Sequence, residues 1–594
     1  MARIRVIPLE KIVEGQEGET LFSVLQREGI PLESYCGGMG SCGKCVVRIL
    51  EGKVAPPTAL EEEHLGGREK AGFRLACQVV VLGDMSCDVS PSLRVASFTL
   101  LGEEEEYHKP EDLPVWRRIV HLRKPSLPLR TSLKEELETM VPLSSFSPRA
   151  LRGLSLIGEE NEVTLEVLWD NEEVFAIFPF PKEGFLGVAF DLGTTTIACA
   201  LIDLTSGRVL AQKGALNKQV RFGADVISRL RAIQDHPENL EILQQDVIET
   251  MNALIVDLCK QEECRNDRIF AVTVSGNTIM EHLFLGVSPL SIGVAPYVPV
   301  LREGYLLRAE DVGLLVYPGA SVYVLPCVAG YVGGDIVGGI GAFRVHEAQK
   351  TTLYIDIGTN GEIVLVARGK IFACGTAAGP AFEGAGIHFG MRASEGAIAT
   401  VFFEDGGVTF TTIGNVSPRG ICGTGLIDTM AGLLENGLLS PTGRFQGNAL
   451  WSPFLEGEGS NRRFVLSRNP YIFVTQKDIE KLQLALAAIR AGRSILLKEA
   501  GLEEEDVEEV VLAGAFGSYI RPESARRIGL IPEGVPVRSV GNASLSGARK
   551  ALLSQRFREI LEHLACRIEY IELSARKDFE EAFVEGLILP GTKQ

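Results

Sequence analysis

Positive charge is scarce in this chain: 59 lysines and arginines face 77 aspartates and glutamates, a formal net charge of −18 over 594 residues. A surface that grips nucleic acid needs the opposite balance, so nucleic acid is not an expected partner. A purely electrostatic hold on anionic membranes is disfavoured for the same reason. An apolar leader is also missing. The opening stretch MARIRVIPLEKIVEGQEGET is charged throughout, unlike a signal peptide, and a cytoplasmic protein is expected. No run is both long and purely apolar. The nearest approach, SVYVLPCVAGYVGGDIVGGIGAF at residues 321–343, contains Asp335 and six glycines. It reads as a buried strand followed by a glycine-rich helix and not as a membrane span.

Glycine and cysteine are plentiful, at 64 and 12 residues. The glycines suit a protein of many tight turns. Twelve cysteines in a large cytosolic chain point to metal or redox chemistry before disulfides. The length exceeds what one hydrophobic core sustains, so an α+β multidomain chain is expected.

Residues 1–92 read as a small β-rich unit, with strands RIRVIPL, VVRILEG and RLACQVVV and a short helix TLFSVLQREG ended by Gly29. Residues 93–126 read as a connector, because the charge and proline of GEEEEYHKPEDLP and RKPSLPLR oppose a core. Residues 127–182 form a small middle α/β unit. There TSLKEELETM opens on a helix cap, and EVTLEVLWDNEEVFAIFPFP alternates as two strands around Asp170 and Asn171. Residues 183–594 alternate apolar strands, glycine turns and helices such as EKLQLALAAIRAGRSILLKEAG. Within this block LGVAFDLGTTTIACALID and TTLYIDIGTNGEIVLVA share one scheme: apolar strand, Asp-x-Gly-Thr, second apolar strand. The repeat predicts a duplicated domain with two facing lobes.

Three thiols crowd SYCGGMGSCGKCVVRIL: Cys36-x5-Cys42-x2-Cys45, with thirty-one residues intervening before Cys77. Three thiolates from one loop plus a distant fourth is how a two-iron cluster is ligated. A negatively charged cluster must be wrapped closely by backbone N–H groups, which calls for residues without a Cβ; Gly37, Gly38, Gly40 and Gly43 supply them. A structural zinc site is the alternative, but it would normally show paired Cys-x2-Cys knuckles and only one such pair is present. Cys87 reads as a core thiol. GMGSCGKC nearly spells a phosphate loop, yet ends on Cys45 where a magnesium-binding hydroxyl is needed.

Asp191-Leu192-Gly193-Thr194-Thr195-Thr196 follows one strand, and Asp356-Ile357-Gly358-Thr359-Asn360-Gly361 follows another. Such turns aim backbone N–H groups and hydroxyls at phosphate oxygens, and the carboxylate can hold Mg2+, often through water. A third glycine turn, VVLAGAFGSYI, carries Gly514 and Gly517, where a flat base could lie against the backbone. Asp335 stands either as a helix-start carboxylate or as a group that orients water or magnesium.

The thiol pattern resembles the [2Fe-2S] ferredoxins, in their adrenodoxin-like spacing, which implies a β-grasp fold, Cys36, Cys42, Cys45 and Cys77 as cluster ligands, and a one-electron carrier of low potential. The large block resembles the superfamily of acetate and sugar kinases, heat-shock chaperones and actin. That resemblance implies a ribonuclease H-like duplicated ATPase domain. Asp191 to Thr196 and Asp356 to Gly361 would be its phosphate loops, and VLAGAFG, with Gly514, Phe516 and Gly517, its adenosine loop. GYVGGDIVGGIGAF and GNASLSGARKALL would be its inter-lobe connectors. NKQVRFGADVISRL, GNTIMEHLFLG, PCVAGYVGGDIVGGI, GTAAGPAFEGAGI, GICGTGLID and AGAFGSYIRPESARRIGLIP, together with the cluster motif, make the whole chain resemble the reductive activators of corrinoid proteins. The resemblance implies a [2Fe-2S] cluster, ATP and Mg2+ as cofactors, with Asp191, Asp335 and Asp356 as catalytic carboxylates. It also implies a corrinoid protein as electron acceptor, a separate low-potential donor and a homodimer. One departure stands out: the family's QLAKAAIRAG reads QLALAAIRAG here, with Leu486 in place of lysine.

Forming cobalt(I) is uphill for most cellular donors, so joining a carrier to an ATPase has a physical purpose. A conformational bias of about 5.5 kcal/mol reverses a two-state equilibrium, and for one electron that corresponds to roughly 230 mV. A metabolic kinase with an appended ferredoxin, a nucleotide-gated redox sensor, and an activator of another metalloenzyme are the competing readings.

Overall fold

The computed structural model describes every residue except 31, 33, 35, 37, 41, 66–67, 91–109, 126–130, 158–160, 224, 405, 515–516 and 592–594. Alternation builds the first unit. Along the strand Ala2–Ile7, Ala2, Ile4 and Val6 are buried while Arg3 and Arg5 face solvent. This strand sits inside a five-stranded sheet ordered Lys11–Gly15, Ala2–Ile7, Met85–Asp88, Val46–Gly52, Phe73–Leu75. The helix Leu21–Arg27, N-capped by Thr20, buries Leu21, Phe22, Val24 and Leu25 in the same core, giving the expected β-grasp. The strand expected over RLACQVVV stops at Leu75. The N–H groups of Gln78 and Val79 both donate to the Leu75 carbonyl, and the resulting turn carries Cys77 out of line with the sheet.

The middle unit is a three-stranded antiparallel sheet, Trp116–Arg123, Glu162–Trp169 and Val174–Pro179. It is backed by the helices Leu133–Glu138, with a full Ser132/Glu135 capping box, and Pro148–Ser155. Its first strand falls inside the span 93–126 read as a connector. Val120 and Leu122 are the buried members of that strand, and the neighbouring Arg117, Arg118 and Arg123 hide this alternation in the sequence. Much of the remaining connector lies outside the described residues.

The large block forms two lobes with matching sheets. The first runs Val209–Leu216, Thr196–Asp203, Leu186–Leu192, Ile269–Gly276, Ser321–Val324, then Tyr305–Arg308. The second repeats the scheme as Lys370–Thr376, Gly361–Ala367, Thr352–Ile357, Glu509–Ala513, Val537–Ser539, with Ile568–Tyr570 added beside its first member. In both, two antiparallel hairpin pairings lead to a central parallel one. The parallel partner in the first lobe, Ile269–Gly276, is buried at every position, as a strand covered on both faces must be.

The run 321–343 is a buried strand, Ser321–Val324, and a helix, Gly334–Ala342. No helix among the described residues is long and apolar enough to cross a membrane. Gly334–Ala342 follows the first lobe in sequence, yet its Ile336, Val337 and Ile340 pack with Tyr354 and Val511 of the second. Ala543–Leu553 does the converse: Leu545, Ala548 and Leu552 join the first lobe's core. The two helices cross at glycines, where a Cβ on Gly547 would lie 2.5 Å from the Gly338 carbonyl carbon. The lobes are thus joined by exchanged helices in backbone contact.

Candidate functional site: a thiol loop seated on a two-lobed cleft

Cys36, Cys42, Cys45 and Cys77 are all buried, and none of the twelve cysteines is in a disulfide. The Cys45 thiol donates to the Cys77 sulfur. That bond, then burial, pushes Cys45 well above its ordinary value, while at Cys77 the same bond draws the thiol down against burial. The side-chain amide of Gln78 also reaches the Cys77 sulfur, at 3.8 Å. The loop between the thiols turns through left-handed backbone at Gly38 and Gly43, and a Cβ at either would stand 2.8 Å from Phe22 or His64. Two loop glycines with no room for a Cβ, the Cys45–Cys77 contact and an N–H aimed at sulfur fit a two-iron cluster. Gly37 lies outside the described residues. Cys87 is a core thiol, which burial pushes up to about 12.

This loop is docked on the lobes. Cys36 and Cys42 pack against Val220 and Leu216 of the first lobe and Ala385 of the second. Lys44, between Cys42 and Cys45, donates to the carbonyls of Ile387 at 2.8 Å and Gly390 at 2.7 Å. The receiving loop, residues 384–391, is tied to the helix Gln476–Ala500 by Lys481, which donates to Gly386 O, and by Asp478, which accepts from His388 N at 2.8 Å. Glu383 directly precedes it and accepts from the Thr359 hydroxyl at 3.0 Å. Burial raises the Glu383 carboxyl, with Arg392 and the Thr359 bond partly offsetting the rise.

Thr359 belongs to the second Asp-x-Gly-Thr turn, and its hydroxyl is 3.3 Å from that of Thr195 in the first. The turns thus face each other across the lobes, bringing Gly193, Thr194, Thr195 and Thr196 opposite Gly358, Thr359, Asn360 and Gly361. Asp191, Asp335 and Asp356 meet at the same place. Asp191 accepts from Asn542 at 2.7 Å and Ser544 at 2.8 Å, both at the start of the second exchanged helix. Asp335 lies in the first turn of the other exchanged helix and accepts from Ile336 N at 2.8 Å. Asp356 accepts from the Tyr354 hydroxyl at 3.2 Å. Burial, then the charges of Asp356 and Asp191, push Asp335 up to about 8. Burial and Asp191 push Asp356 up to about 7. Burial and mutual repulsion raise these carboxyls, and an arriving cation would favour their ionised forms.

Gly514 closes the constellation: a Cβ there would stand 2.6 Å from the Ile357 carbonyl and 2.8 Å from the Asp356 carboxylate. Gly517 starts a short 3-10 turn after it. Phe516 lies outside the described residues. Leu486 is fully buried, on one stripe with Leu482 and Ile489 in the second lobe's core. The supporting residues that the sequence left unread are Lys44, Glu383, Asn542, Ser544 and Tyr354. Each acts through a partner distant in sequence or, for Tyr354, through a face shared with Asp356.

Comparison with known proteins matches this architecture piece by piece. Residues 4–82 match the 2Fe-2S iron-sulfur cluster binding domain, residues 186–348 the RACo middle region, and residues 350–594 the C-terminal domain of RACo, the ASKHA domain. The chain is 33% identical over 599 residues to the corrinoid activation enzyme RamQ of Eubacterium limosum, covering 97% of each. It is 27% identical over 409 residues to the [Co(II) methylated amine-specific corrinoid protein] reductase of Methanosarcina barkeri, covering 63% of this chain and 72% of that protein. A solved reductive activator for corrinoid, iron-sulfur protein superposes with a TM-score of 0.73 at 33% identity, covering 100% of this chain and 99% of that one. On a cluster-binding loop, a duplicated nucleotide cleft and end-to-end similarity, the chain belongs to the family of RACo-type reductive activators of corrinoid proteins.

Proposed function

We propose that the chain is an ATP-dependent reductive activator that returns cobalt(II) of an inactivated corrinoid protein to cobalt(I). Residues 1–92 would carry the electron, and residues 183–594 would clamp the nucleotide. Residues 93–126 and 127–182 would lie between them, with the strand Trp116–Arg123 anchoring the connector. The observation that carries this reading is the continuous path from Lys44 in the thiol loop, through residues 384–391 and Glu383, to Thr359 at the phosphate turns.

Cys36, Cys42, Cys45 and Cys77 would hold the two-iron cluster, which would supply one-electron chemistry at low potential. In the cleft, the turns after Asp191 and Asp356 would bind the phosphates of ATP through backbone N–H groups and the hydroxyls of Thr194, Thr195, Thr196 and Thr359. The amides of Gly358, Asn360 and Gly361 belong to the same cradle, and Gly514, Phe516 and Gly517 would take the adenosine. Asp191, fixed by Asn542 and Ser544, would orient Mg2+ or its water, while Asp335 and Asp356 would give up their protons as the cation arrives. Phosphates entering between the turns would replace the Thr195–Thr359 contact, and Glu383 would pass that change to the loop on which the thiols sit. The proposal includes a cytoplasmic location, a separate low-potential electron donor and pairing into a homodimer.

The test is anaerobic. The reduced chain is mixed with a corrinoid protein from the same cell extract, and cobalt(I) is read from the visible spectrum. Cobalt(I) that accumulates with ATP and not without it supports the proposal. Equal yields in both arms overturn the coupling. ATP hydrolysis stimulated by a small hydroxy or carboxylate compound would favour the kinase reading.

A further inference from the structure

Among the described residues Arg229 is the largest fully buried side chain, and no carboxylate among them pairs with it. Asp225 is committed to capping at Ser228 and Asp246 to the guanidinium of Arg221, so both act on Arg229 only from a distance. Its own bonds go to the Thr194 carbonyl, to Gln219 Oε1 at 2.8 Å and to Met280 Sδ at 2.6 Å, and its Nε is buried without a partner. A buried, unpaired guanidinium is costly and needs a reason.

Its position suggests one. Asn217 Nδ2 donates to the Gly193 carbonyl at 3.1 Å, and Arg229 donates to the next carbonyl, Thr194. In a planar trans peptide the C=O and the following N–H point in opposite directions. Holding these two carbonyls from behind therefore turns the N–H groups of Thr194 and Thr195 the other way. The Thr195 hydroxyl, on the same turn, meets Thr359 across the cleft. Asn217 is itself held against Gln219, a second acceptor of Arg229, at 3.2 Å.

We infer that Arg229 is a positioning residue for nucleotide phosphate: it locks the first Asp-x-Gly-Thr turn with its N–H groups outward, and its unpaired charge is complemented when phosphate enters. This rests on the nucleotide-binding reading above. The guanidinium does not touch the ligand; it acts through the Thr194–Thr195 peptide and through its field, which the low-dielectric interior transmits well. Burial lowers its proton affinity, drawing it down to about 9, which leaves it charged at neutral pH.

The experiment uses the full chain, purified without oxygen, and measures the binding of ATP and of adenosine by calorimetry for the wild type, Arg229→Gln and Arg229→Lys. Arg229→Gln is expected to weaken ATP by about tenfold or more, the range for losing a charged hydrogen bond, and to leave adenosine within about twofold. Arg229→Lys, which keeps the charge but not the fork, should weaken ATP less than Arg229→Gln does. A general loosening of the lobe would weaken both ligands together and would overturn the inference, as would unchanged ATP affinity in both variants. If Arg229→Gln does not fold, Arg229→Lys decides: ATP weakened with adenosine spared supports the role, and any other pattern sinks it. A wild type that binds adenosine and ATP equally well overturns the inference while leaving a nucleotide site in place. A wild type that binds neither overturns the parent reading.

Discussion

The hydroxyls of Thr195 and Thr359 lie 3.3 Å apart, although 164 residues separate them in sequence. The contact joins the two phosphate turns, and Thr359 also holds Glu383, whose chain runs directly into the loop under the thiols. One side chain thus touches the opposite lobe and the support of the redox unit. A disturbance at the cleft therefore has a short covalent and hydrogen-bonded route to Cys36 and Cys42.

Thr359→Val should break that route with little change in volume. It leaves the buried Glu383 carboxyl without its donor, a loss of about 1–3 kcal/mol. Steady-state ATP hydrolysis is expected to fall by roughly five- to a hundredfold, while iron and labile sulfide remain at wild-type levels. Loss of iron together with ATPase would instead mark global unfolding and contradict the local role assigned here.

Lys44→Met tests the docking itself. The substitution keeps the aliphatic stem and removes two charged hydrogen bonds, to Ile387 O and Gly390 O, each of a kind worth about 1.5–3 kcal/mol. The thiol loop should remain loaded but leave its seat, exposing the edge that Val220 and Ala385 now cover. Oxidation of the reduced chain by a small soluble one-electron acceptor, followed by stopped-flow absorbance, should become several-fold faster and lose any dependence on ATP. An unchanged rate would show that the contact does not gate access.

The parts legible in the sequence were those written locally. Cys36, Cys42 and Cys45 occupy ten positions, and Asp-x-Gly-Thr recurs after an apolar strand, so ligand type and turn chemistry could be read without knowing the fold. The supports were not local. Asn542 and Ser544 reach Asp191 across 351 and 353 residues, and Lys44 reaches Ile387 across 343. Contacts of that range leave no periodicity behind. The strand Trp116–Arg123 was masked by its own arginines, which occupy its more exposed positions. Leu486 is the opposite case: Leu482, Leu486 and Ile489 recur at helical spacing, and the stripe is the core face of Gln476–Ala500. The leucine fills that stripe, where a lysine would have to bury its charge.

Gly547→Ala should separate the exchanged helices. Its Cβ would collide with the Gly338 backbone, which cannot rotate aside. Overpacking of this kind costs about 1–3 kcal/mol, and chemical denaturation of the large block should report it. Asn542 and Ser544 sit on the same helix and fix Asp191, so ATP hydrolysis should fall further than stability alone explains. The visible spectrum of the cluster should be unaffected. A variant with normal ATPase would detach Asp191 from the geometry of this crossing.

The three central carboxylates give the nucleotide-free protein a pH dependence whose sign is fixed. Asp335 and Asp356 are raised to about 8 and about 7 from an ordinary 3.8, by burial first and by neighbouring charge second. In the unfolded chain both ionise near pH 4, whereas the folded site keeps its protons to neutrality. Their contribution is therefore fully favourable below the unfolded value and declines as pH rises through about 7 to 8, where the folded carboxyls are forced to ionise together. Thermal unfolding without nucleotide, scanned from about pH 5.5 to about pH 8.5, should show this decline. Asp335→Asn should flatten it by removing one of the mutually repelling charges. Mg2+ with ATP should act in the reverse sense. A cation favours the ionised carboxylates, so its stabilising shift should grow with pH, and its binding should release protons that buffers of different ionisation enthalpy reveal by calorimetry. A shift that shrinks with rising pH, or binding without proton release, would mean that Asp335 and Asp356 do not face the metal–nucleotide complex.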